Sequence, residues 1–223
     1  MTFNSNKIKG VLFDMDGTVL DSEHLFEKAQ IKLLKKFQID VSRLELLEFK
    51  GMSYKDFYPR FISKFNLNQD IDYLRNMLRN FLHKTMETEL KFIDGFENFF
   101  KTRIINKGFK IGLVTNTTRL SYSKIQTCIN IDDYFDYVLT VNEVPKPKPS
   151  PAPYLHAMQN LKLNYFETII LEDSKTGLIS AKNSNAKVIG LTTSLNYNEI
   201  KEIDKNINVC KSYNEVDEYF QHI

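Results

Sequence analysis

The 223-residue chain contains no tryptophan and only two cysteines. Cys128 and Cys210 lie far apart, in neither a CxxC pair nor a metal-ligand spacing. Both read as free thiols, buried or half-buried, and a disulfide framework is excluded. No apolar run approaches the ~18 residues that a membrane-spanning helix requires. The opening MTFNSNKIKG carries no apolar segment of the secretory kind. The expectation is a reduced, soluble, cytoplasmic protein. An excess of charge of one sign is missing too, since the formal net charge is only +2. Nothing in that balance calls for nucleic acid or an anionic membrane, and no basic cluster is interleaved with aromatics as in single-strand binders. Internal repeats are absent. The single low-complexity piece is PKPKPSPAP, residues 145 to 153.

What is present is an ordinary globular composition, 42% hydrophobic and 26% charged, rich in Phe and Tyr. The length suits one large domain or a core with a smaller insertion. IKGVLF, residues 8 to 13, reads as a short apolar strand. From 23 to 90 no convincing strand follows. Apolar residues recur there at helical spacing: Leu25, Ala29, Leu33, Leu34 and Phe37; Leu44 and Leu47; Phe57, Phe61, Ile62 and Phe65; Ile71, Leu74, Leu78 and Leu82. Asp21 or Ser22, Ser42, Ser53 and Asn68 fit as the four helix starts. After Asp94 and Gly95 the rhythm changes to strands alternating with helices, FKIGLVTN, YFDYVLT, TIILEDS and AKVIGLTT being the strands. That alternation predicts an α/β fold, a Rossmann-like open parallel sheet with helices on both faces. The core is expected from residues 1–18 and 91–223, with a four-helix cap inserted as residues 19–90.

The stretch VLFDMDGTVLDS puts Asp14, Asp16 and Asp21 within eight positions. Three strands end in polar groups: the first at Asp14 and Asp16, the next at Thr115 and Asn116, a later one at Glu172 and Asp173. In an open parallel sheet the ligand crevice lies at the carboxyl ends of the strands, so these groups converge. In extended chain Asp14 and Asp16 point to the same side, and Gly17 permits a sharp exit. Four converging carboxylates repel unless compensated. A hard divalent cation resolves them, and Mg²⁺ takes a few carboxylates together with water and substrate oxygens. Thr115 and Asn116 offer a hydroxyl, an amide and backbone N–H groups where a strand turns into a helix, a cradle for phosphate. Lys148, held between prolines, is a point charge for the same anion. These are the parts of phosphoryl transfer: one Asp as nucleophile, the other as general acid and base.

The segments DMDGTVLDS, VTNT, KPSPAPY and EDSKTG resemble, in order, the four motifs of the haloacid dehalogenase-like hydrolases. The helical block resembles the small α-helical cap of their beta-phosphoglucomutase-like and phosphoglycolate-phosphatase-like branch. The resemblance covers essentially the whole chain. It implies that Asp14 is the nucleophile and a Mg²⁺ ligand. It makes Asp16 the general acid and base, with its backbone carbonyl on the metal. Thr115 and Asn116 would hold the phosphoryl group, and Lys148 would bridge nucleophile and phosphate. Asp173 would be the third metal anchor, with Glu172 beside it, directly or through water. Lys148 rather than Lys146 keeps the K-P-x-P-x-x-Tyr spacing, ending on Tyr154. Lys50 and Gly51, in KGMS, match the substrate-facing cap loop, although a lysine at a helix end is also commonly solvated.

The second carboxylate, Asp16, favours phosphate esters over halides, because an alkoxide leaving group needs a proton. The mutases of this branch place a His ten positions after the general acid, where this chain has Phe26, and an Arg after the cap loop, where it has Tyr54. Phe26 reads as packing. The expectation is a phosphatase hydrolysing a small phosphomonoester (a sugar phosphate, nucleotide or similar) by way of an aspartyl-phosphate. A phosphosugar mutase and a non-catalytic binding relative are the alternatives. The expected partner is a small phosphorylated metabolite, and the chain a monomer or small homo-oligomer. Asp21 reads as an N-cap or hinge. Thr18 touches phosphate or bonds the turn, and Arg119 is a substrate contact or a surface residue. His83, His156 and His222 lack partners at metal spacing, and His24 reads as a half-exposed histidine at a helix start. Hinges near 18–22 and 87–94 would close the cap.

Overall fold

The computed structural model describes residues 8–223 apart from 50, 51, 53 and 106. The chain divides into two compact units, Met1–Asp21 with Lys91–Ile223, and Ser22–Leu90.

The first unit is built on a six-stranded, wholly parallel sheet. Its strands are β1 (Gly10–Phe13), β2 (Lys110–Val114), β3 (Tyr137–Leu139), β4 (Thr168–Glu172), β5 (Lys187–Leu191) and β6 (Asn208–Cys210), in the order β3-β2-β1-β4-β5-β6. β1 lies between β2 and β4, with Phe13 abreast of Leu113 and Leu171. The sheet is thus filled outward from β1 in both directions, and the crevice of such a sheet opens where the order reverses. β1 and β4 are buried at every position, as strands covered on both faces must be.

Successive side chains of β1 serve opposite faces. Leu12 joins a cluster with Val114, Ile170 and Val188, covered by α7 (Ala152–Leu161), α8 (Lys175–Asn183) and α9 (Tyr197–Ile203). Phe13 meets Phe96 edge to face at 5.9 Å. Phe96 opens α5 (Phe96–Phe99), and its ring lies 5.6 Å from that of Tyr213 on α10 (Tyr213–Phe220). The remaining helix of this unit, α6 (Arg119–Cys128), follows β2.

The sequence reading missed α5 and the single π-helical turn that continues it to Ile104, because the run FENFFKTRI is aromatic on too many sides to show one face. It also missed α9 and the three-residue β6, too short for a periodicity. Both cysteines are free thiols, Cys210 buried and Cys128 partly so.

The second unit holds α1 (Glu23–Lys36), α2 (Arg43–Leu46) running into a 3-10 turn, α3 (Tyr54–Phe65) and α4 (Ile71–Glu89). Its core gathers Ala29, Leu33, Leu34, Phe49, Phe57, Phe61, Leu74 and Leu78. Phe26 packs on Phe57, ring centroids 5.5 Å apart. Ser42 caps α2 in a box with Glu45. The fourth helix is capped by Asp70 rather than Asn68, its carboxylate accepting from the N–H groups of Asp72 and Tyr73. Ser53 lies outside the described residues. Leu44 and Leu47 are exposed, and Leu46 and Phe49 are buried in their place, because one helical turn passing into a tighter one shifts the inward face. The insertion begins at Ser22 and not at residue 19. Val19 and Asp21 stay with the sheet unit, through N–H bonds from Ile93 to Val19 and from Asp21 to Lys91.

Two contacts yield tests. A Cβ added to Gly177, in the first turn of α8, would lie 1.6 Å from Glu172 Oε1. Gly→Ala inside a helix ordinarily gains up to ~1 kcal/mol. Here overpacking against a buried carboxylate should reverse the sign, costing about 1–3 kcal/mol. Gly177→Ala should therefore lower the urea midpoint, and an unchanged midpoint would show that Glu172 yields freely. Separately, Arg103 grips Asp217 of α10 with Nε at 2.6 Å and Nη2 at 2.7 Å, which lowers the carboxyl to about 2. Its folded value lies below the ordinary ~3.9. The stabilisation is thus full above that value and is lost as pH falls through 2. Urea midpoints of wild type and Asp217→Asn should differ at pH 6 and converge between about pH 4 and pH 2; a gap constant with pH would contradict the pairing.

Candidate active site

β1, β2 and β4 deliver their last residues to one place. Asp14 follows Phe13 and keeps the ladder for one more bond, its N–H donating to Leu171 C=O at 2.9 Å. The chain then turns. Met15 C=O accepts from Val19 and Leu20, and Gly17 takes φ +80°. That conformation suits glycine. A Cβ there would also sit 2.1 Å from Asp173 Oδ2.

At the centre stands the Lys148 ammonium, which is buried. Its three donors go to Asp14 Oδ1 at 2.6 Å, Glu172 Oε1 at 2.7 Å and Val114 C=O at 2.8 Å. Tyr154 lies beside it, the ammonium 4.8 Å from the ring centroid and the phenol donating to Glu172 Oε1 at 3.0 Å. Burial, followed by the charges of Glu172 and Asp14, pushes the Tyr154 phenol well up, so it stays a donor. Burial works against the Lys148 charge, but Asp14 and Glu172 outweigh it and raise the ammonium above its ordinary value. The other Glu172 oxygen accepts from Asp173 N–H, Ser174 N–H and Ser174 Oγ at 3.0–3.1 Å. Both Glu172 oxygens are thus committed to donors, and Glu172 is the anchor of Lys148.

Asp173 is completely buried. Thr18 Oγ1 lies 3.4 Å from its Oδ1 and Thr193 Oγ1 3.2 Å from its Oδ2, and Ser194 donates to Oδ2 as well. Thr18 therefore supports an acid, neither of the roles expected for it. Ligand oxygens of Asp14, Glu172 and Asp173 lie within 4.8 Å of one another. Burial raises the Asp14 carboxyl well above its usual range, the charge of Glu172 adds to this, Lys148 opposes it, and Asp173 and Asp16 add further. A buried set of hard oxygens whose nucleophile candidate is driven toward protonation fits a divalent cation, which would restore its ionised form.

The expected gathering of four carboxylates is reduced to three: the Asp16 carboxylate is not part of this group, though its charge is still felt at Asp14. The extended reading fails because β1 ends at Phe13 and the turn after Asp14 re-aims the side chains beyond it. Asp16 Oδ2 instead accepts from Thr117 Oγ1 at 2.9 Å. Thr115 is buried, and its hydroxyl accepts from Thr117 N–H at 2.9 Å, keeping its own proton to donate. The Asn116 side chain is spent on the Lys148 backbone, Nδ2 donating to its C=O and Oδ1 accepting its N–H, at 3.2 and 3.1 Å. It braces the lysine, leaving Asn116 its backbone N–H as the group suited to an anion. Lys146 is exposed.

Arg119 bonds Glu143 and Val138 C=O, holding the loop after β3. Asp21 lies 3.7 Å from Lys91 Nζ. Lys50 and Gly51 lie outside the described residues. The sequence reading missed Thr117, Thr193 and Ser194, and gave Tyr154 no role. Their only signal was a hydroxyl in the turn after a strand.

Residues 11–191 match the model of the haloacid dehalogenase-like hydrolases. The chain is 26% identical over 192 residues to pyrophosphatase PpaX of Bacillus mycoides strain KBAB4, covering 85% of this chain and 86% of that one. A candidate beta-phosphoglucomutase from Thermotoga maritima superposes with a TM-score of 0.85 at 20% identity, over 97% of this chain and 100% of that one. CbbY from Rhodobacter sphaeroides, solved in complex with phosphate, gives 0.74 at 21% identity over 94% and 96%. Among the described residues no helix is long and apolar enough to cross a membrane. The family match runs from Val11 in β1 to Leu191 at the end of β5, through every strand that supplies the site, and the chain therefore belongs to the haloacid dehalogenase-like hydrolases.

Proposed function

We propose that the chain is a Mg²⁺-dependent phosphatase that hydrolyses a small phosphomonoester through an aspartyl-phosphate on Asp14. The observation that carries this reading is the Lys148 ammonium shared between Asp14 and Glu172, with the Thr115 hydroxyl on the neighbouring strand. That arrangement supplies a carboxylate nucleophile, a fixed cation and a phosphate donor side by side.

An Asp14 oxygen attacks phosphorus as the bond from phosphorus to the ester oxygen breaks. The ester oxygen takes the electron pair of that bond and a proton from Asp16. In the second step Asp16 takes a proton from water, and the water oxygen forms its bond to phosphorus. The Asp14–phosphorus bond then breaks, returning the carboxylate and releasing inorganic phosphate. Thr115 Oγ1 and the Asn116 N–H hold the phosphoryl oxygens. Lys148 keeps Asp14 in place, and to reach a phosphate directly it must release one of its three acceptors. Mg²⁺ held by Asp14, Asp173 and the backbone carbonyl of Asp16, with Glu172 reaching it through water, would supply the charge that keeps Asp14 ionised and offsets that of the phosphoryl group. The choice of ester is assigned to residues 22–90. The fit of Phe26 into apolar packing on Phe57 supports water, rather than a second sugar phosphate, as the acceptor.

The test is release of inorganic phosphate from sugar phosphates, nucleotides, phosphoglycolate, p-nitrophenyl phosphate and inorganic pyrophosphate, the last because a relative bears the name pyrophosphatase. Release should require Mg²⁺, stop with EDTA, and fall by at least about 10³ in Asp14→Asn, as expected when a nucleophile is lost. Interconversion of hexose 1- and 6-phosphates would establish a mutase instead. A folded, Mg²⁺-loaded protein silent on the whole panel would point to the binding relative.

A further inference from the structure

We propose that Thr117 is the positioning residue of Asp16, its hydroxyl holding one carboxylate oxygen so that the other is presented to the leaving oxygen of the substrate. This rests on the phosphatase reading and deepens it.

A hydroxyl in a turn ordinarily bonds backbone a few residues away. That of Thr117 does not. It donates to Asp16 Oδ2 at 2.9 Å, across 101 positions of sequence. The rest of Thr117 is fixed so that this bond has one direction. Its N–H donates to Thr115 Oγ1 at 2.9 Å, and its C=O accepts from Val141 N–H at 3.1 Å. The next residue, Thr118, caps α6 by accepting from Ser121 N–H at 3.3 Å. A β-branched side chain on such a backbone has few χ1 choices.

Asp16 differs in setting from the other acids. It sits in the turn beyond the end of β1, partly exposed, whereas Asp14 and Glu172 are clamped by Lys148. The terminal torsion of an aspartate is broad, yet a general acid must hold its proton within hydrogen-bond reach of the departing oxygen. With Oδ2 bonded to Thr117, the transferred proton is assigned to Oδ1. The proton moves from Oδ1 to the ester oxygen as that oxygen takes the electron pair of the breaking bond to phosphorus, and Asp16 is left as a carboxylate still bonded to Thr117. The bond also joins the turn after β1 to the turn after β2, fixing the acid relative to the Thr115 phosphate cradle.

The experiment compares kcat/KM of wild type, Thr117→Val and Thr117→Ser on glycerol phosphate and on p-nitrophenyl phosphate, with Mg²⁺ present. This ratio reports the steps through departure of the first product, so later hydrolysis of the aspartyl-phosphate does not enter it. Glycerol leaves as an alkoxide that needs a proton, whereas nitrophenolate is stable without one. Thr117→Val keeps the shape and removes the donor. It should lower kcat/KM about ten- to hundredfold on glycerol phosphate, part of the 10²–10⁴ that a positioned acid supplies. The loss on the nitrophenyl ester should be less than about threefold. Thr117→Ser should restore the glycerol value. The nitrophenyl activity doubles as the folding control. Equal losses on both esters, no loss on either, or a glycerol defect that Ser leaves in place would overturn the proposal. Absence of phosphate release by the wild type from these two esters and from the whole panel above would sink the phosphatase reading itself, and is told apart because it precedes any substitution.

Discussion

One buried ammonium organises the site. Lys148 spends its three donors on Asp14 after β1, Glu172 at the end of β4 and the Val114 carbonyl at the end of β2. A single group thereby ties together the ends of the three central strands. Desolvating it is costly, and the chain meets that cost with two carboxylates, one carbonyl and the face of Tyr154. The neighbours are shaped around the same point. Tyr154 and Ser174 complete the bonds of Glu172, and Gly177 leaves the space that Glu172 fills. Asn116 pairs with both backbone groups of Lys148, so the lysine is held at its root as well as at its tip. Removing the ammonium would leave two carboxylates buried face to face, a loss of about 3–5 kcal/mol for such a pair.

The two aspartates after β1 have different surroundings because the strand stops between them. Asp14 is still in the ladder and buried. Asp16 lies in the turn and accepts from the Thr117 hydroxyl. Under the proposed mechanism nucleophile and proton carrier need different environments, and two residues of separation give them different environments here through a change of backbone conformation.

Much of this was legible in the sequence. The alternation after Asp94 gave the parallel sheet, and the acidic ends of two strands gave the gathering of Asp14, Glu172 and Asp173, because β1 and β4 are adjacent and parallel. The proline-flanked Lys148 was distinguishable from Lys146 by its spacing to Tyr154, and the structure buries the first and exposes the second. Other features were hidden. The helical period could not show that Leu46 and Phe49 face inward in place of Leu44 and Leu47, since that depends on one turn tightening. Asn116 looked like a phosphate ligand because an amide suits either an anion or a backbone. Only the position of the Lys148 loop decides between them.

The residues that escaped detection share a cause. Thr117, Thr193 and Ser194 are hydroxyls in turns that come after strands, where their usual partner is the local backbone. Here Thr117 and Ser194 reach an acid on a neighbouring strand end, Asp16 and Asp173, while Thr193 donates to the Gly17 carbonyl at 2.5 Å with Asp173 Oδ2 at 3.2 Å. Such contacts run laterally across the sheet, from β2 to β1 and from β5 to β4, and no spacing along the chain encodes them. They follow from strand order. In this sheet each acid-bearing strand end has a neighbour on its outer side, and the turn leaving that neighbour supplies a donor to the acid. The order β2-β1-β4-β5 thus sets Thr117 and Ser194, in the turns after the outer pair, beside acids of the inner pair, while Thr18 and Ser174 support Asp173 and Glu172 from the inner pair itself.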